Sequence, residues 1–365
     1  MISILIEGMT CNKGGKESYI VNIFNAFDKE KYRFTFVAYD ENIAYEALLK
    51  ENGAEIIHLP SRNKGVIRFR RALNNLLKQN KYDVVWAHKT TLSSCEILEL
   101  AKKNGVPLRI VHSHSSSNMG SKLTYVLHII NKTCLPLWAN MFFACSQTAA
   151  TWFFGDKDCI IAKNGIDIQK FKYNKEIRNK IREQYSIGDC FVLGHIGRFG
   201  KEKNHKKLID VFYEVKKRKN NAKLVLCGDG EERNNIIQQI QKLNLQNDVL
   251  LLGVVNNVND ILQGIDLIVM PSLFEGLPFS LLEAQAAGLK CVVSDTVSKE
   301  SDIMKWNTFI ALEEEDSYWA EEICNIELEY DRFAAIETMQ QEGYDIHKCV
   351  REIDTIISTG LQSVR

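Results

Sequence analysis

The chain has 365 residues, of which 45% are hydrophobic and 25% are charged, as in ordinary globular proteins. This length exceeds what one core comfortably organises, so we expect two domains of roughly 170 residues each. The 46 basic and 46 acidic residues cancel, and this neutral balance gives no support to nucleic acid binding.

The sequence also bears on the compartment. Ten cysteines lie scattered in apolar runs without the paired spacing of a metal site, which indicates small buried thiols in a reducing cytosol. The apolar start of the chain is only as long as a strand, lacks a basic leader and is followed at once by Glu7. Polar residues interrupt the apolar segment Thr124–Cys145, so it does not predict a membrane span. We therefore expect a cytoplasmic protein.

The first half of the chain alternates between short apolar runs and longer stretches with helical periodicity. This alternation predicts an α/β domain with a doubly wound parallel sheet. The predicted strands are Ile2–Ile6, Phe34–Ala38, Ala54–His58, Asp83–His88, Leu108–Ser113 and Met141–Cys145. The predicted helices are Lys16–Phe27, Ala44–Glu51, Ile67–Gln79 and Leu92–Lys103.

A second alternation begins after a looser segment, in which Asn164-Gly165 is a turn signal. We therefore predict a first domain over residues 1–166 and a second, of the same class, over residues 167–344. The predicted strands of the second domain are Phe191–Ile196, Lys223–Cys227, Val249–Gly253, Asp266–Met270 and Lys290–Ser294. Its predicted helices are Lys207–Lys219, Glu231–Lys242, Val258–Gln263 and Pro278–Ala287.

The most informative stretch joins the strand Asp266–Met270 to the helix Pro278–Ala287 through a loop that carries Glu275. A helix N-terminus above the carboxyl edge of a parallel sheet attracts phosphate through its free N–H groups and its dipole. A carboxylate beside phosphate would repel it, so we expect Glu275 and Glu283 to accept hydrogen bonds from sugar hydroxyls. Glu283 lies among leucines and alanines, where an unpaired carboxylate is costly. The simpler alternative is a solvated helix with ordinary surface acids.

A second cluster of charge follows the strand Phe191–Ile196. Arg198 and Lys203 would lie at the carboxyl end of that strand, where a guanidinium and an ammonium group together can neutralise a diphosphate. Fixed cations also stabilise the charge that develops on a departing phosphate. The alternative is a lysine-rich surface loop, because Lys201, Lys206 and Lys207 are close in sequence.

Three histidines end two predicted strands. His88 lies at the end of one strand, and His112 and His114 lie at the end of the next, so all three should lie along one sheet edge. A zinc site is conceivable, but no cysteine or carboxylate completes it at a usual spacing, and the sequence does not favour it. A hydrogen-bonded structural role is the alternative for one of His112 and His114.

Other patterns are weaker. Gly14-Gly15 before a helix would let the backbone approach a ligand closely, but the G-x-G-x-x-G spacing of nicotinamide enzymes is absent. Asp156-Lys157-Asp158 has the form of a metal-binding D-x-D motif, but its context predicts a solvated turn. Seven basic residues surround an amphipathic helix, which is typical either of contact with anionic lipid or of a solvated basic face. They are Arg62, Lys64, Arg68, Arg70, Arg71, Lys78 and Lys81.

Together these motifs resemble a known family. Glu275-Gly276-Leu277-Pro278 with Glu283 eight positions after Glu275 is similar to the E-x7-E signature of retaining family 4 glycosyltransferases, which have the GT-B fold. The segments 14–17, 112–115, 164–167 and 197–204 resemble, in order, the glycine loop, the acceptor-side histidine, the interdomain segment and the diphosphate clamp of that family. The resemblance therefore spans nearly the whole chain.

The resemblance implies two Rossmann-like domains facing a cleft, with a C-terminal helix at residues 345–365 returning to the first, acceptor-binding domain. It implies that Arg198 and Lys203 hold the diphosphate and that His114, with His112 also eligible, contacts the donor sugar. The donor-binding residues that it implies are Gly15, Arg198, Lys203, Glu275, Gly276, Leu277 and Glu283. The expected reaction is retaining hexosyl transfer from a nucleoside-diphosphate sugar, such as a UDP-sugar, without a metal cofactor.

The expected acceptor is a growing cell-surface glycan, such as a capsular polysaccharide or exopolysaccharide. A lipid-linked form of this acceptor would favour peripheral attachment to an anionic membrane. Two alternatives stay open at this point. A sugar-nucleotide epimerase of the same fold would bind the same donor but turn it over without an acceptor. A catalytically silent binding subunit is disfavoured, because the clamp, the glutamates and the histidine are all present.

Overall fold

The computed structural model describes residues 1–117 and 121–364. The chain divides into two compact domains: the first comprises Met1–Gly165 together with the segment that starts at Gly343, and the second comprises Ile166–Glu342. Each domain contains its own parallel sheet with helices connecting successive strands. The predicted α/β class with two Rossmann-like parallel sheets is confirmed.

The first sheet has seven strands in the order β3-β2-β1-β4-β5-β6-β7, and every pairing in it is parallel. Its central strands are apolar and buried on both faces, as helices on each side of a parallel sheet require. The strands are β1 Ile2–Glu7, β2 Tyr32–Ala38, β3 Glu55–His58, β4 Val84–Lys89, β5 Leu108–Ser113, β6 Met141–Ala144 and β7 Ile160–Ile161. The helices are α1 Gly15–Ala26, α2 Glu46–Glu51, α3 Val66–Gln79, α4 Glu96–Lys103, α5 Lys122–Trp138 and α6 Gln147–Phe154.

The second sheet has six parallel strands in the order β10-β9-β8-β11-β12-β13. Its core gathers leucine, isoleucine and phenylalanine side chains around Trp319. The strands are β8 Phe191–Ile196, β9 Ala222–Cys227, β10 Val249–Gly253, β11 Leu267–Met270, β12 Lys290–Ser294 and β13 Thr308–Ile310. The helices are α7 Ile168–Phe171, α8 Lys175–Gln184, α9 His205–Arg218, α10 Arg233–Lys242, α11 Val258–Gly264, α12 Phe279–Ala286, α13 Asp316–Asn325 and α14 Ala334–Gln341.

The last helix, α15 Ile346–Val364, belongs to the first domain, where it contacts α1 and β5. Asp354 on this helix accepts hydrogen bonds from Lys31, at 2.5 Å, and from the hydroxyl of Tyr32. The apolar face of α15 is buried, which explains its strong 3.6-residue periodicity in the sequence.

The helix that carries Glu283 is one residue shorter at each end than the predicted Pro278–Ala287. Pro278 has extended backbone angles, φ −70° and ψ 132°, and caps α12, so the first helical residue is Phe279. At the other end Gly288 has φ +71°, and a Cβ atom there would lie 2.4 Å from the carbonyl oxygen of Arg332. Glycine at this position therefore allows both the left-handed turn and the close approach of the Arg332 backbone.

Candidate active site

Two loops meet at the carboxyl edge of the second sheet. β8 and β11 are neighbouring parallel strands, so the residues that follow Ile196 and Met270 emerge at the same edge. The amide of Leu273 donates a hydrogen bond of 2.8 Å to the carbonyl oxygen of Glu202, which ties the two loops together. Arg198 and Lys203 lie in the first loop and Glu275 in the second.

Lys203 and Glu275 form an ion pair across these loops. Their side chains are only 13% and 15% exposed, so both charges are largely removed from water. A Cβ atom on Gly197 would lie 3.3 Å from Cε of Lys203, so the missing side chain of Gly197 leaves room for the lysine. The structure thus brings two of the predicted site residues into direct contact.

Arg198 has different partners. Its guanidinium lies 3.1 Å from Oε1 of Glu202 and 3.7 Å from Oε1 of Glu231, and its side chain is half exposed. Exposed pairs of this kind contribute little stability, because water and salt screen them. An incoming diphosphate can therefore replace either carboxylate at small cost.

Glu283 is the fifth residue of α12 and is half-buried between Leu282 and Ala284, which are fully buried. Its carboxylate makes no hydrogen bond or ion pair with any residue in the described part of the chain. Desolvation raises the pKa of Glu283 from 4.5 to about 7. The described part of the chain therefore supplies no polar partner for this carboxylate. A residue that binds a ligand would be left unpartnered in this way when the ligand is absent.

Gly276 and Leu277 connect Glu275 to α12 and are half-buried. No side chain caps the N-terminus of this helix, since Pro278 has no polar side-chain atom. The first two amides of the helix, those of Phe279 and Ser280, and the helix dipole are therefore available to an anion at this point, whereas the amides of Leu281 and Leu282 donate to the carbonyl oxygen of Pro278.

In the first domain, His88, His112 and His114 form a cluster. Nδ1 of His88 lies 2.9 Å from Nε2 of His114, and the rings of His112 and His114 stack at 4.2 Å between centroids. His88 and His112 are buried, whereas His114 is half-buried. Gly8 permits this packing, because a Cβ atom there would lie 2.7 Å from Cβ of His88.

All three imidazoles are neutral at pH 7. Desolvation lowers the pKa of His112 to about 3. It also lowers the pKa of His88 and of His114 well below 6.5, with further contributions from His112 and Lys16. A neutral imidazole donates one hydrogen bond and accepts another, which suits contact with a sugar hydroxyl.

Gly15 begins α1, whose N-terminus follows the end of β1. A carboxylate already occupies this end of the helix: Glu17 is buried, accepts a hydrogen bond of 2.8 Å from Thr10 and lies 3.2 Å from Nζ of Lys16. A second anion would meet repulsion from Glu17, so close backbone approach is the contribution that Gly15 can make.

Sequence reasoning missed the neighbours of Lys203. His205, the first residue of α9, is buried, and its ring packs edge-on against His195 at 4.7 Å. Neither of its ring nitrogens has a hydrogen-bond partner in the part of the chain that the structure describes. Desolvation and then Lys203 lower the pKa of His205 to about 4, so it adds no positive charge to the clamp at pH 7. Its position two residues after Lys203 was the signal available in the sequence.

The structure distinguishes the two metal-binding patterns considered in the sequence, the D-x-D motif and the histidine cluster. Asp156, Lys157 and Asp158 lie in an exposed turn after α6, as the sequence predicts. The three histidines, in contrast, have ligand nitrogens that all lie within 4.8 Å of one another.

Comparisons with known proteins agree with these features. The family profile described as Glycosyltransferase Family 4 matches residues 13–170, and the one described as Glycosyl transferases group 1 matches residues 177–331. EpsF of Bacillus subtilis, which is assigned as a glycosyltransferase, is 31% identical over 363 residues, covering 95% of this chain and 93% of that protein.

More distant relatives share parts of the sequence or the fold. An Escherichia coli protein named UDP-Gal:alpha-D-GlcNAc-diphosphoundecaprenol alpha-1,3-galactosyltransferase is 32% identical over 248 residues, 61% of this chain and 60% of that protein. The crystal structure of Anabaena HepE in complex with UDP superposes with a TM-score of 0.81 at 18% identity, covering 98% of this chain and all of that one. The match along nearly the whole of EpsF, the two family profiles and the fold lead to one assignment: the chain belongs to the family 4 glycosyltransferases of the GT-B fold.

Proposed function

We propose that this glycosyltransferase moves a hexosyl unit, with retention of anomeric configuration, from a UDP-sugar to a growing, lipid-linked cell-surface glycan. The uridine nucleotide is supported by HepE, which was solved with UDP and with UDP-glucose. The lipid-linked acceptor is supported by the E. coli relative, whose name specifies a diphosphoundecaprenol acceptor.

The ion pair between Lys203 and Glu275 carries the proposal. In a nucleoside-diphosphate sugar the anomeric carbon is bonded directly to a phosphate oxygen, so an anion and a set of neutral hydroxyls are adjacent. A cation and a carboxylate held side by side match this arrangement, because the ammonium group can bind the phosphate while the carboxylate accepts from sugar hydroxyls.

The remaining candidate residues have separate roles. Arg198 exchanges its exposed carboxylate partners for the diphosphate, and Glu283 accepts hydrogen bonds from the ribose hydroxyls. Gly276 and Leu277 bring backbone amides to the phosphates, and Gly15 allows the backbone of α1 to approach the donor. His114 contributes a neutral imidazole to a hydroxyl of the transferred sugar.

The chemical step follows from these contacts. The bond between the anomeric carbon and the phosphate oxygen breaks, and the electron pair leaves with the diphosphate. The acceptor oxygen attacks the same face, and its proton passes to the departing phosphate. Arg198 and Lys203 stabilise the growing negative charge, so neither a protein nucleophile nor a divalent metal is needed.

The decisive experiment follows the anomeric configuration of the product by NMR with donor and acceptor present. Retention, with activity undiminished by EDTA, is the expected result. An inverted product, or activity lost on chelation and restored by a divalent metal, would contradict the mechanism and direct attention to Asp156 and Asp158. Donor turnover without an acceptor would favour the epimerase alternative.

Peripheral membrane contact is the second part of the proposal. Three of the seven basic residues around α3 are paired with carboxylates: Arg70 with Glu99, Arg62 with Glu96 and Lys64 with Glu41. No helix in residues 1–117 and 121–364 is both long and apolar enough to cross a bilayer. Apolar side chains near this basic cluster would strengthen its contact with lipid.

The helix α5 offers an apolar surface for it. α4 contacts both α3 and α5, so the three helices form one layer on the first sheet. The sequence of α5 has no acidic residue, and it exposes Leu123, Val126, Ile129, Ile130 and Leu137. Apolar side chains without acidic neighbours are typical of helices that lie on anionic membranes.

Cosedimentation with vesicles tests this surface. The wild-type protein should bind vesicles rich in phosphatidylglycerol more strongly than phosphatidylcholine vesicles, and changing Leu123, Val126 and Ile130 to Ser should reduce that binding. The matched control changes the exposed Val254 of the second domain to Ser. Equal binding by the control and the α5 variant would exclude α5 as the contact.

A further inference from the structure

We propose that His88, His112 and His114 form a binding site for a transition-metal ion such as Zn²⁺, which takes His114 away from the sugar when it is occupied. The evidence for the metal site is the arrangement of the three histidines, and it does not depend on the function proposed above. Its inhibitory consequence rests on the role proposed above for His114.

The sheet places the three side chains on one face. His88 of β4 and His112 of β5 are directly paired in the parallel register. His114 lies two residues beyond His112, and its amide continues the ladder by donating a 2.8 Å hydrogen bond to the carbonyl oxygen of Lys89. Because side chains alternate along a strand, residues two apart project from the same face. A His-x-His pair on one strand and a third histidine on its neighbour therefore converge.

The distances are close to those of a metal centre. Tetrahedral Zn²⁺ binds imidazole nitrogen at about 2.0–2.1 Å, which places ligand nitrogens about 3.4 Å apart. Nδ1 of His88 and Nε2 of His114 are 2.9 Å apart, and the three candidate ligand atoms all lie within 4.8 Å of one another. Rotations that move ring nitrogens by about 1 Å would complete a three-histidine site with an open fourth position.

The cluster also has unsatisfied polar atoms. His112 is fully inaccessible to solvent, and both of its ring nitrogens are buried without a hydrogen-bond partner among residues 1–117 and 121–364. Leaving such a group unpaired costs free energy, and a metal–nitrogen bond would satisfy one of the two atoms. This is an observation independent of the distances, and it points to a ligand that the protein does not itself supply.

The charges around the cluster allow a divalent cation. The charge of Lys16 acts on His88 and His114, but its ammonium lies 3.2 Å from the buried carboxylate of Glu17, which offsets that charge. Tyr19 covers the cluster, with its ring 4.8 Å from His112 and 5.0 Å from His114. Neutral imidazoles without carboxylates suit Zn²⁺, Co²⁺, Cu²⁺ or Ni²⁺ rather than Mg²⁺ or Ca²⁺.

Direct binding is the first test, and it requires no substrate. Metal-free protein is titrated with Zn²⁺ by calorimetry and with Co²⁺ by visible absorption, which reports tetrahedral coordination. We expect one site per chain and at least about 100-fold weaker binding after His88→Gln, since even changes beyond the ligands themselves cost about 10- to 100-fold. His347→Gln, at an exposed position of α15, is the matched control and should bind like the wild type.

A second variant keeps the test independent of folding. His88→Cys replaces one ligand by another, so it should retain binding and add a thiolate-to-cobalt charge-transfer band. Binding by the wild type that is unchanged in His88→Gln, or a His88→Cys protein without the new band, would overturn the site. Failure of the wild type to bind either metal would do the same.

Activity then tests the consequence separately. Zn²⁺ should inhibit transfer by the wild type, whereas His88→Gln, compared with its own zinc-free rate, should not be inhibited. A wild-type protein that binds Zn²⁺ through the histidines but transfers sugar at an unchanged rate would retain the metal site and refute the sugar contact of His114.

Discussion

The raised pKa of Glu283 makes nucleotide affinity depend on pH in a calculable way. Ribose hydroxyls donate more strongly to the ionised carboxylate than to the protonated acid, which has less acceptor capacity and no charge, so we expect UDP to bind more tightly once Glu283 has lost its proton. With a pKa of about 7, the carboxylate of the free protein is about 91% ionised at about pH 8 and about 9% ionised at about pH 6. The affinity for UDP should therefore fall between these two pH values, by up to about 10-fold, or up to about 1.4 kcal/mol.

The assay is calorimetric titration of UDP at both pH values into the wild type and into the Glu283→Gln variant. A phosphate group with a pKa of about 6 also gains a proton in this range, and the variant measures that contribution alone. The difference between the two pH slopes is attributable to Glu283. Parallel slopes for the two proteins would refute the assignment of Glu283 to the ribose.

Protein stability should show the opposite dependence. The folded-state pKa of Glu283 lies above the unfolded value of 4.5, so its contribution is fully present below about pH 4.5 and is lost as pH rises to about 7. Glu283→Gln should therefore raise the unfolding temperature relative to the wild type at about pH 8, and less so at about pH 5. A difference in unfolding temperature that did not change with pH would contradict the buried-acid explanation.

Four substitutions test the rest of the structure. Glu283→Ala should weaken UDP binding by about 1.5–3 kcal/mol, the usual contribution of hydrogen bonds to a charged group. An unchanged affinity in calorimetry would refute the contact of Glu283 with the ribose. Arg198→Ala should lower kcat by about 10²–10³-fold, as loss of one fixed electrostatic stabiliser does, and a purely KM effect in steady-state kinetics would argue against it. His114→Ala should reduce transfer more than it reduces UDP affinity, because its contact is with the sugar, and equal losses in the two measurements would contradict that. Gly288→Ala should destabilise the second domain by more than about 2 kcal/mol in urea unfolding. Gly53→Ala is its control, since Gly53 also has positive φ but no atom within 4 Å of the position that a Cβ would take. A similar loss in both variants would mean that the clash with Arg332 is unimportant.

The sequence predicts most strands because their residues are apolar on both faces, a pattern that short loops and exposed helices cannot produce. The strands β7 and β13 escape prediction, since two or three residues carry no readable periodicity. The sequence places Pro278 one position inside α12, because proline is acceptable both at the cap and at the first helical residue.

The contacts within the candidate site could not be predicted from the sequence in the way that the strands could. The contact of Lys203 with Glu275 joins two loops that are far apart in sequence, and no local pattern encodes it. The pairing of Arg198 with Glu231 escapes prediction for the same reason. The predicted strands place the three histidines at one sheet edge. A metal site made of His88, His112 and His114 alone is harder to predict, because cysteine or carboxylate ligands at a usual spacing are the pattern that a sequence shows.

The pairing of Lys203 with Glu275 also bears on what happens after transfer. In the proposed mechanism, the hydroxyls of the attached sugar separate the carboxylate of Glu275 from the diphosphate. Once the sugar has moved to the acceptor, the same carboxylate faces the product anion with nothing between them, and like charges at such a distance repel. Lys203 can then return to Glu275, its partner in the ligand-free protein. In this mechanism Glu275, which is proposed to orient the donor, also favours departure of the spent nucleotide.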